Sequence, residues 1–105
     1  MVKQYEIYWV NLDPTKGSEI NKKRPCVVIS PEEMNKNLHT VIVAPLTSTI
    51  KPYPTRVAIF IDKQKGQIAL DQIRTIDKIR LSNKIGVLTN ETIAKTKSIL
   101  VEMFK

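Results

Sequence analysis

The sequence contains little cysteine and little histidine, with one residue of each among its 105 residues. Cys26 alone forms no disulfide within the chain, and together with His39 it offers too few ligands for a zinc site of the Cys/His type. Cys26 lies in a short apolar segment typical of an inert core thiol, whereas His39 follows polar residues typical of a loop. We therefore expect no metal and no cofactor, and we expect the chemistry to rest on other side chains.

The sequence also lacks a long apolar run. Its first ten residues mix polar and apolar side chains without a basic segment, so we expect neither a signal peptide nor a membrane-spanning segment. The protein is predicted to be cytoplasmic and to have no membrane partner. With 105 residues, of which 42% are hydrophobic, the chain has the size of one folded domain covering residues 1–105.

Acidic residues are scarce relative to basic ones: 10 Asp and Glu stand against 17 Lys and Arg, for a net charge of +7. This balance favours an anionic partner such as nucleic acid, an acidic protein segment or a membrane surface. Charge alone does not choose among them, because many basic proteins carry solvated lysines without a specific partner.

Short apolar runs rich in β-branched residues, separated by Pro, Gly and polar breaks, predict mostly strands. Polar residues 63–66 are predicted to join two of these strands as a hairpin. Behind Thr89 and Asn90, either of which can cap the first turn, the residues Ile93, Leu100 and Phe104 repeat at helical spacing and predict a terminal helix. The strands are expected at residues 5–12, 25–30, 40–46, 55–62 and 67–73, with a brief helical turn at 31–35. This order predicts a mainly β fold, a strongly bent antiparallel sheet closed on one side by the C-terminal helix.

Residues 11–24 form the least strand-like stretch, and basic side chains cluster there around a single acid. Long loops with clustered charge are where binding residues commonly lie. Arg24 presents a planar fork that can hold two phosphate oxygens, whereas lysines act as point charges. A flexible, solvated loop is the alternative interpretation. The charged residues are Lys16, Glu19, Lys22, Lys23 and Arg24.

Two further groups of polar residues follow in the chain. Three hydroxyls in a row, Thr47 to Thr49, end a predicted strand, where they can cap backbone groups or bond a phosphate. Residues 71–80 alternate arginine and aspartate with apolar side chains, a spacing more typical of structural ion pairs than of catalysis. Trp9 can stack on a nucleic-acid base or pack within the protein.

Four segments together resemble the MazF/PemK/Kid toxins of type II toxin–antitoxin systems, nearly from end to end. They read YWVNLDPTKGSE, KRPCVVISP, APLTST and DQIRTIDKIRL. The resemblance implies a small SH3-like barrel, shared in fold with CcdB toxins, and a homodimer. It also implies a metal-independent, sequence-specific endoribonuclease that cuts single-stranded mRNA. The partners implied are a cognate antitoxin with an acidic C-terminal segment and, for the toxin–antitoxin complex, DNA.

The family's functional residues fall on particular positions of this chain. The arginine of the R-P motif corresponds to Arg24 and the family threonine to Thr47, so the resemblance implies that both are catalytic. Glu19 matches a family acid close to the RNA and is the third catalytic candidate. The residues expected to contact RNA are Lys16, Ser18, Lys22, Lys23, Ser48, Asp71 and Arg74.

Two positions depart from the Kid-type pattern. Some Kid-like relatives have a histidine where this chain has Ser18, and an arginine where it has Ala69. Asp71 therefore lacks the two partners of a Kid-type site. The MazF-type pair of arginine and threonine fits this sequence better.

RNA cleavage by the neighbouring 2′-hydroxyl needs a base, an acid for the leaving oxygen and a cation for the growing charge. A single histidine excludes a two-histidine mechanism within one subunit. Arg24 can supply the cation and Thr47 can hold a phosphate oxygen. The base is either Glu19 or Arg24, although arginine, whose charge persists at any working pH, is a poor base. The alternative function is a non-enzymatic one on the same fold: a CcdB-like toxin that binds gyrase, or an RNA-binding module.

Overall fold

The computed structural model of the protein describes residues 1–12 and 23–105. In this part of the chain, seven strands form one antiparallel sheet and two helices flank it. The strands are β1 (Glu6–Asn11), β2 (Lys23–Val28), β3 (Thr40–Thr47), β4 (Arg56–Ile61), β5 (Gln64–Ala69), β6 (Arg74–Asp77) and β7 (Leu81–Val87), and the helices are α1 (Glu32–Asn37) and α2 (Asn90–Met103).

Strand β3 is the centre of the sheet and causes its curl. One of its edges pairs with β2, while the other pairs first with β6, over Thr40 to Val43, and then with β5, at Leu46 and Thr47. The sheet therefore curls into a half-barrel with the order β4-β5-β3-β2-β1-β7. This architecture, closed by the C-terminal helix α2, confirms the mainly β fold predicted from the sequence.

The apolar side chains of the central strands form two buried clusters, because successive residues of a strand point to opposite faces. The larger cluster includes Val27 and Leu46 and packs against α2. The smaller cluster contains Cys26, which is fully buried; burial raises the pKa of this thiol to about 12. The prediction that Cys26 lies in the core is confirmed, and His39 lies exposed between α1 and β3.

Helix α2 begins as predicted, since the side chain of Thr89 accepts a hydrogen bond from the backbone N–H of Thr92. Neither helix in the described ranges is long and apolar enough to span a membrane.

The hairpin between β4 and β5 is tighter than the sequence predicts. Its turn is formed by Asp62 and Lys63, whose φ angles of 48° and 66° lie in the left-handed region. Two consecutive positive φ angles are typical of the type I′ turn that matches the twist of a two-residue hairpin. Residues Gln64 to Gly66, predicted as loop, therefore belong to β5.

The segment after β5 also differs from its prediction. The strand expected over 67–73 ends at Ala69, and a 3-10 turn at Leu70–Gln72 separates it from β6. Strand β7 was not predicted, because its residues LSNKIGV show little apolar alternation. It forms one edge of the sheet beside β1, with irregular register, where polar side chains remain in solvent.

Candidate functional site

Arg24 and Thr47 lie on neighbouring strands and line the same pocket, which has a volume of about 470 Å³. Strand β2 pairs Cys26 with Pro45 of β3. Continuing this antiparallel register by two residues places Arg24 opposite Thr47. The structure thus brings together two residues that are 23 positions apart in the sequence. Arg24 is exposed and Thr47 is half-buried, so both are accessible from the pocket.

One wall of the pocket is apolar. It contains Trp9 and Pro25, which are paired between β1 and β2, together with Leu46 and Ile85. The indole of Trp9 is 41% exposed, so it is not a core side chain. An exposed aromatic ring that lines the same pocket as an arginine offers a stacking surface for a nucleic-acid base.

The β4–β5 hairpin also lines the pocket, with Asp62, Lys65 and Gly66 among its contributions. A Cβ atom on Gly66 would lie 2.8 Å from the carbonyl oxygen of Thr47. Glycine is therefore required at position 66 for β5 to approach β3 at the site. The sequence pattern does not predict this role, because Gly66 falls in the predicted hairpin loop 63–66, whereas in the structure it belongs to β5.

The hydroxyl of Thr47 serves as a local cap. Its Oγ1 accepts a hydrogen bond from the backbone N–H of Thr49, with an N–O distance of 3.1 Å. One lone pair of the oxygen and its O–H remain to interact with a bound group. The two roles predicted for this hydroxyl, capping and ligand binding, are therefore compatible.

Only some of the residues predicted to contact RNA lie at the pocket. Ser48 lines the pocket beside Thr47, and Lys23 donates a hydrogen bond from Nζ to Oγ of Ser82 at 3.2 Å. Asp71 and Arg74 are not among the residues that line the pocket. Four further candidates, Lys16, Ser18, Glu19 and Lys22, lie outside the described residues.

Asp71 belongs to an ion pair with Arg56, and neither residue is among those that line the pocket. Its carboxylate accepts hydrogen bonds from Nε and Nη2 of Arg56, at 2.8 and 3.3 Å, and from the hydroxyl of Thr55 at 2.9 Å. The Arg56 guanidinium lowers the pKa of this carboxyl more than partial burial raises it. An ion pair was predicted for this segment, but the partner is Arg56 on β4, since the backbone of Ala69 at the end of β5 pairs with Arg56.

Metal-binding side chains are not clustered in residues 1–12 and 23–105. No group of three or more His, Cys, Asp or Glu side chains in these ranges is arranged to hold a metal ion. The side chains that line the described part of the pocket offer a guanidinium, hydroxyls, an ammonium, a carboxylate, an amide and an aromatic ring.

Known proteins share both the sequence pattern and the fold. The family model for PemK-like, MazF-like toxins of type II toxin–antitoxin systems matches residues 3–104. An endoribonuclease in complex with its cognate antitoxin, from a mycobacterial species, is 25% identical with a TM-score of 0.83, and the match covers 99% of this chain and 95% of that one. The Mycobacterium tuberculosis toxin MazF-mt6 is 24% identical with a TM-score of 0.79, covering 94% and 95%. A MazE–MazF structure from Deinococcus radiodurans is 24% identical with a TM-score of 0.83, covering 98% and 95%.

Proposed function

Since the chain belongs to the PemK-like, MazF-like toxins of type II toxin–antitoxin systems, we propose that it is an endoribonuclease. It cleaves single-stranded mRNA in the cytoplasm at a short sequence, without a metal ion or cofactor. The observation that carries this proposal is that Arg24 and Thr47 line the same pocket, in a chain of net charge +7.

The proposed reaction is attack by the 2′-oxygen on the adjacent phosphorus. The bond from phosphorus to the 5′-oxygen of the next nucleotide breaks, which leaves a 2′,3′-cyclic phosphate and a 5′-hydroxyl. The guanidinium of Arg24 stabilises the charge that grows on the phosphorane oxygens, and the Thr47 hydroxyl donates to one of them. Glu19 or Arg24 takes the proton of the 2′-hydroxyl as it attacks, and the leaving 5′-oxygen gains a proton from an acid.

The pocket has room for one nucleotide beside the reacting phosphate. Its volume of about 470 Å³ lies within the range of roughly 300–1,000 Å³ for small-molecule sites. A base is proposed to stack on Trp9 with its phosphate bound at Arg24, since both residues line the pocket. Lys16, Ser18, Lys22, Lys23, Ser48 and Arg74 are proposed to hold the rest of the RNA, and Asp71 is proposed to support the site through Arg56.

The protein is further proposed to act as a homodimer that an antitoxin inhibits. Large apolar side chains remain exposed on its surface, including Phe60, Val101 and Phe104 at 71%, 65% and 70%, and subunit interfaces cover apolar surface of this kind. An acidic antitoxin segment fits the basic surface that RNA would use. Two of the similar structures are complexes with antitoxins, which supports this assignment.

An unstructured RNA oligonucleotide, incubated with the protein in EDTA, tests the activity and the reaction path together. We expect cleavage and a 2′,3′-cyclic phosphate on the upstream product. A 2′-deoxy nucleotide before the cut should abolish cleavage and leave binding nearly intact, while the same replacement two nucleotides away serves as the control. Cleavage of the first deoxy substrate would contradict the mechanism. RNA that is bound but stays intact would indicate a binding module.

A further inference from the structure

Gln67 lies on β5, and its side chain links this strand to the segment that follows Thr47. Gln67 is paired with Thr47 between β5 and β3, and only 9% of its surface is exposed. Its side-chain Oε1 accepts a hydrogen bond from the backbone N–H of Lys51 at 3.1 Å, and its Nε2 donates to the carbonyl oxygen of Lys51 at 3.0 Å. The amide of Gln67 therefore binds both polar groups of one backbone residue, as a neighbouring strand would.

Arg56 holds Gln67 in place. Its Nη1 donates to Oε1 of Gln67 at 3.4 Å, while its Nε and Nη2 donate to the carboxylate of Asp71. The side chain of Arg56 is only 6% exposed, and its guanidinium lies 5.1 Å from the ring centroid of Tyr53. The same guanidinium thus contacts Gln67, an acid and an aromatic ring of the segment after Thr47.

These polar contacts matter because the segment has little apolar anchoring. Residues 48–54 are all exposed, and its two large apolar side chains, Ile50 and Tyr53, are 51% and 48% exposed. The segment begins with Ser48 and Thr49, which line the pocket. Its conformation also determines where the N–H of Thr49 lies, and that N–H binds the Thr47 hydroxyl.

We propose that Gln67, held by Arg56 and Asp71, is a positioning residue that orients the Thr47 hydroxyl by fixing the segment 48–51. It is not among the residues lining the pocket, so it acts without touching RNA. This inference rests on the proposed function. A substitution far from the reacting groups can lower the rate about 100-fold when it displaces one of them by about 1 Å. The loss of rate is therefore measurable.

Gln67→Met tests the proposal, because methionine keeps the length of the side chain and loses the two hydrogen bonds with Lys51 and the one from Arg56. The matched control is Gln4→Met, which removes the bond from Nε2 of Gln4 to the carbonyl oxygen of Ile29, a contact outside the pocket. We expect kcat for RNA cleavage to fall about 10- to 100-fold in Gln67→Met, with KM within about threefold. Gln4→Met should retain the wild-type kcat. An unchanged kcat in folded Gln67→Met would overturn the proposal, as would a rise in KM that accounts for the loss.

A double substitution separates positioning from a general loss of structure. In a Thr47→Ala background, Gln67→Met should cause little further loss of kcat, because the hydroxyl that it orients is absent. Two losses that multiply would contradict a role through Thr47.

Amide hydrogen exchange provides a readout that does not depend on nuclease activity. Gln67→Met should reduce the protection of the N–H groups of Lys51 and Thr49, and Gln4→Met should not. If the wild-type protein does not cleave RNA, the proposed function fails, and these amides still report on how Gln67 fixes the segment after Thr47. Unchanged protection at both amides would refute that role of Gln67.

Discussion

Replacing Gly66 by alanine places a methyl group against the backbone of the strand that carries Thr47. The added Cβ would lie 2.8 Å from the carbonyl oxygen of Thr47 and 3.6 Å from its carbonyl carbon. Both atoms belong to the backbone of β3, so no flexible side chain can rotate away. Strand β5 must move several tenths of an ångström away from β3 at the point where the two strands pair through Thr47 and Gln67.

The size of the effect follows from two opposing contributions. Overpacking in a well-packed region costs about 1–3 kcal/mol, and the lower entropy of the unfolded alanine chain returns about 0.4–1 kcal/mol. Taking the middle of each range, we expect Gly66→Ala to lower the free energy of unfolding by about 1.3 kcal/mol, and by about 2.6 kcal/mol at most. For a domain of this size, each kcal/mol lowers Tm by about 4–8 °C.

Gly86→Ala is the matched control, because a Cβ at Gly86 meets no atom within 4 Å. This variant should be as stable as the wild type or slightly more stable. Urea denaturation measures both free energies, and the RNA cleavage assay should show a lower kcat for Gly66→Ala alone, because the displaced backbone carries the Thr47 hydroxyl. Equal stability of the two variants, with wild-type cleavage by Gly66→Ala, would refute the close-approach argument.

Three further predictions concern single side chains. Burial raises the pKa of Glu6, but hydrogen bonds from Lys84 and two other donors outweigh it, so the pKa is lowered in the folded protein. The ionised carboxylate therefore stabilises the fold above the unfolded pKa of about 4.3, and this contribution is lost as the pH falls through the folded pKa. Glu6→Gln should therefore be less stable than the wild type at pH 7, and urea denaturation should show the difference shrinking in acid; a constant difference would contradict the linkage. Thr47→Ala should lower kcat while Thr47→Ser retains much of it, as single-turnover RNA cleavage would show; equal losses would mean that the hydroxyl is not the active group. Glu19→Gln should remove the acidic limb of the pH–rate profile if Glu19 is the base; a uniform fall in rate with the limb unchanged would assign the proton to another group.

The central strands and the terminal helix could be predicted because their residues carry strong local signals. Val27 and Val28 lie in an unbroken apolar run, and Thr89 provides a helix cap that the structure contains. Strand β7 carries no such signal, because its pairing with β1 at the sheet edge depends on a partner distant in the sequence.

The site was only partly predictable for the same reason. Arg24 and Thr47 were identified from the resemblance, but their common pocket depends on the register of β2 against β3. The requirement for glycine at position 66 depends on how closely β5 approaches β3, and Asp71 binds an arginine fifteen residues earlier. Contacts of this kind are set by strand pairing and leave no local pattern in the sequence.

The role of Arg24 is tested most directly by the turnover rate of Arg24→Ala on an RNA oligonucleotide in EDTA. Arg24→Lys should recover little activity, because lysine keeps the charge and loses the planar fork. Lys97→Ala, which removes one positive charge from α2 outside the pocket, is the control and should cleave at nearly the wild-type rate. We predict that Arg24→Ala lowers kcat by about 10²–10³ with a smaller change in RNA affinity. An Arg24→Ala protein that cleaves RNA at the wild-type rate would contradict the assignment of the site.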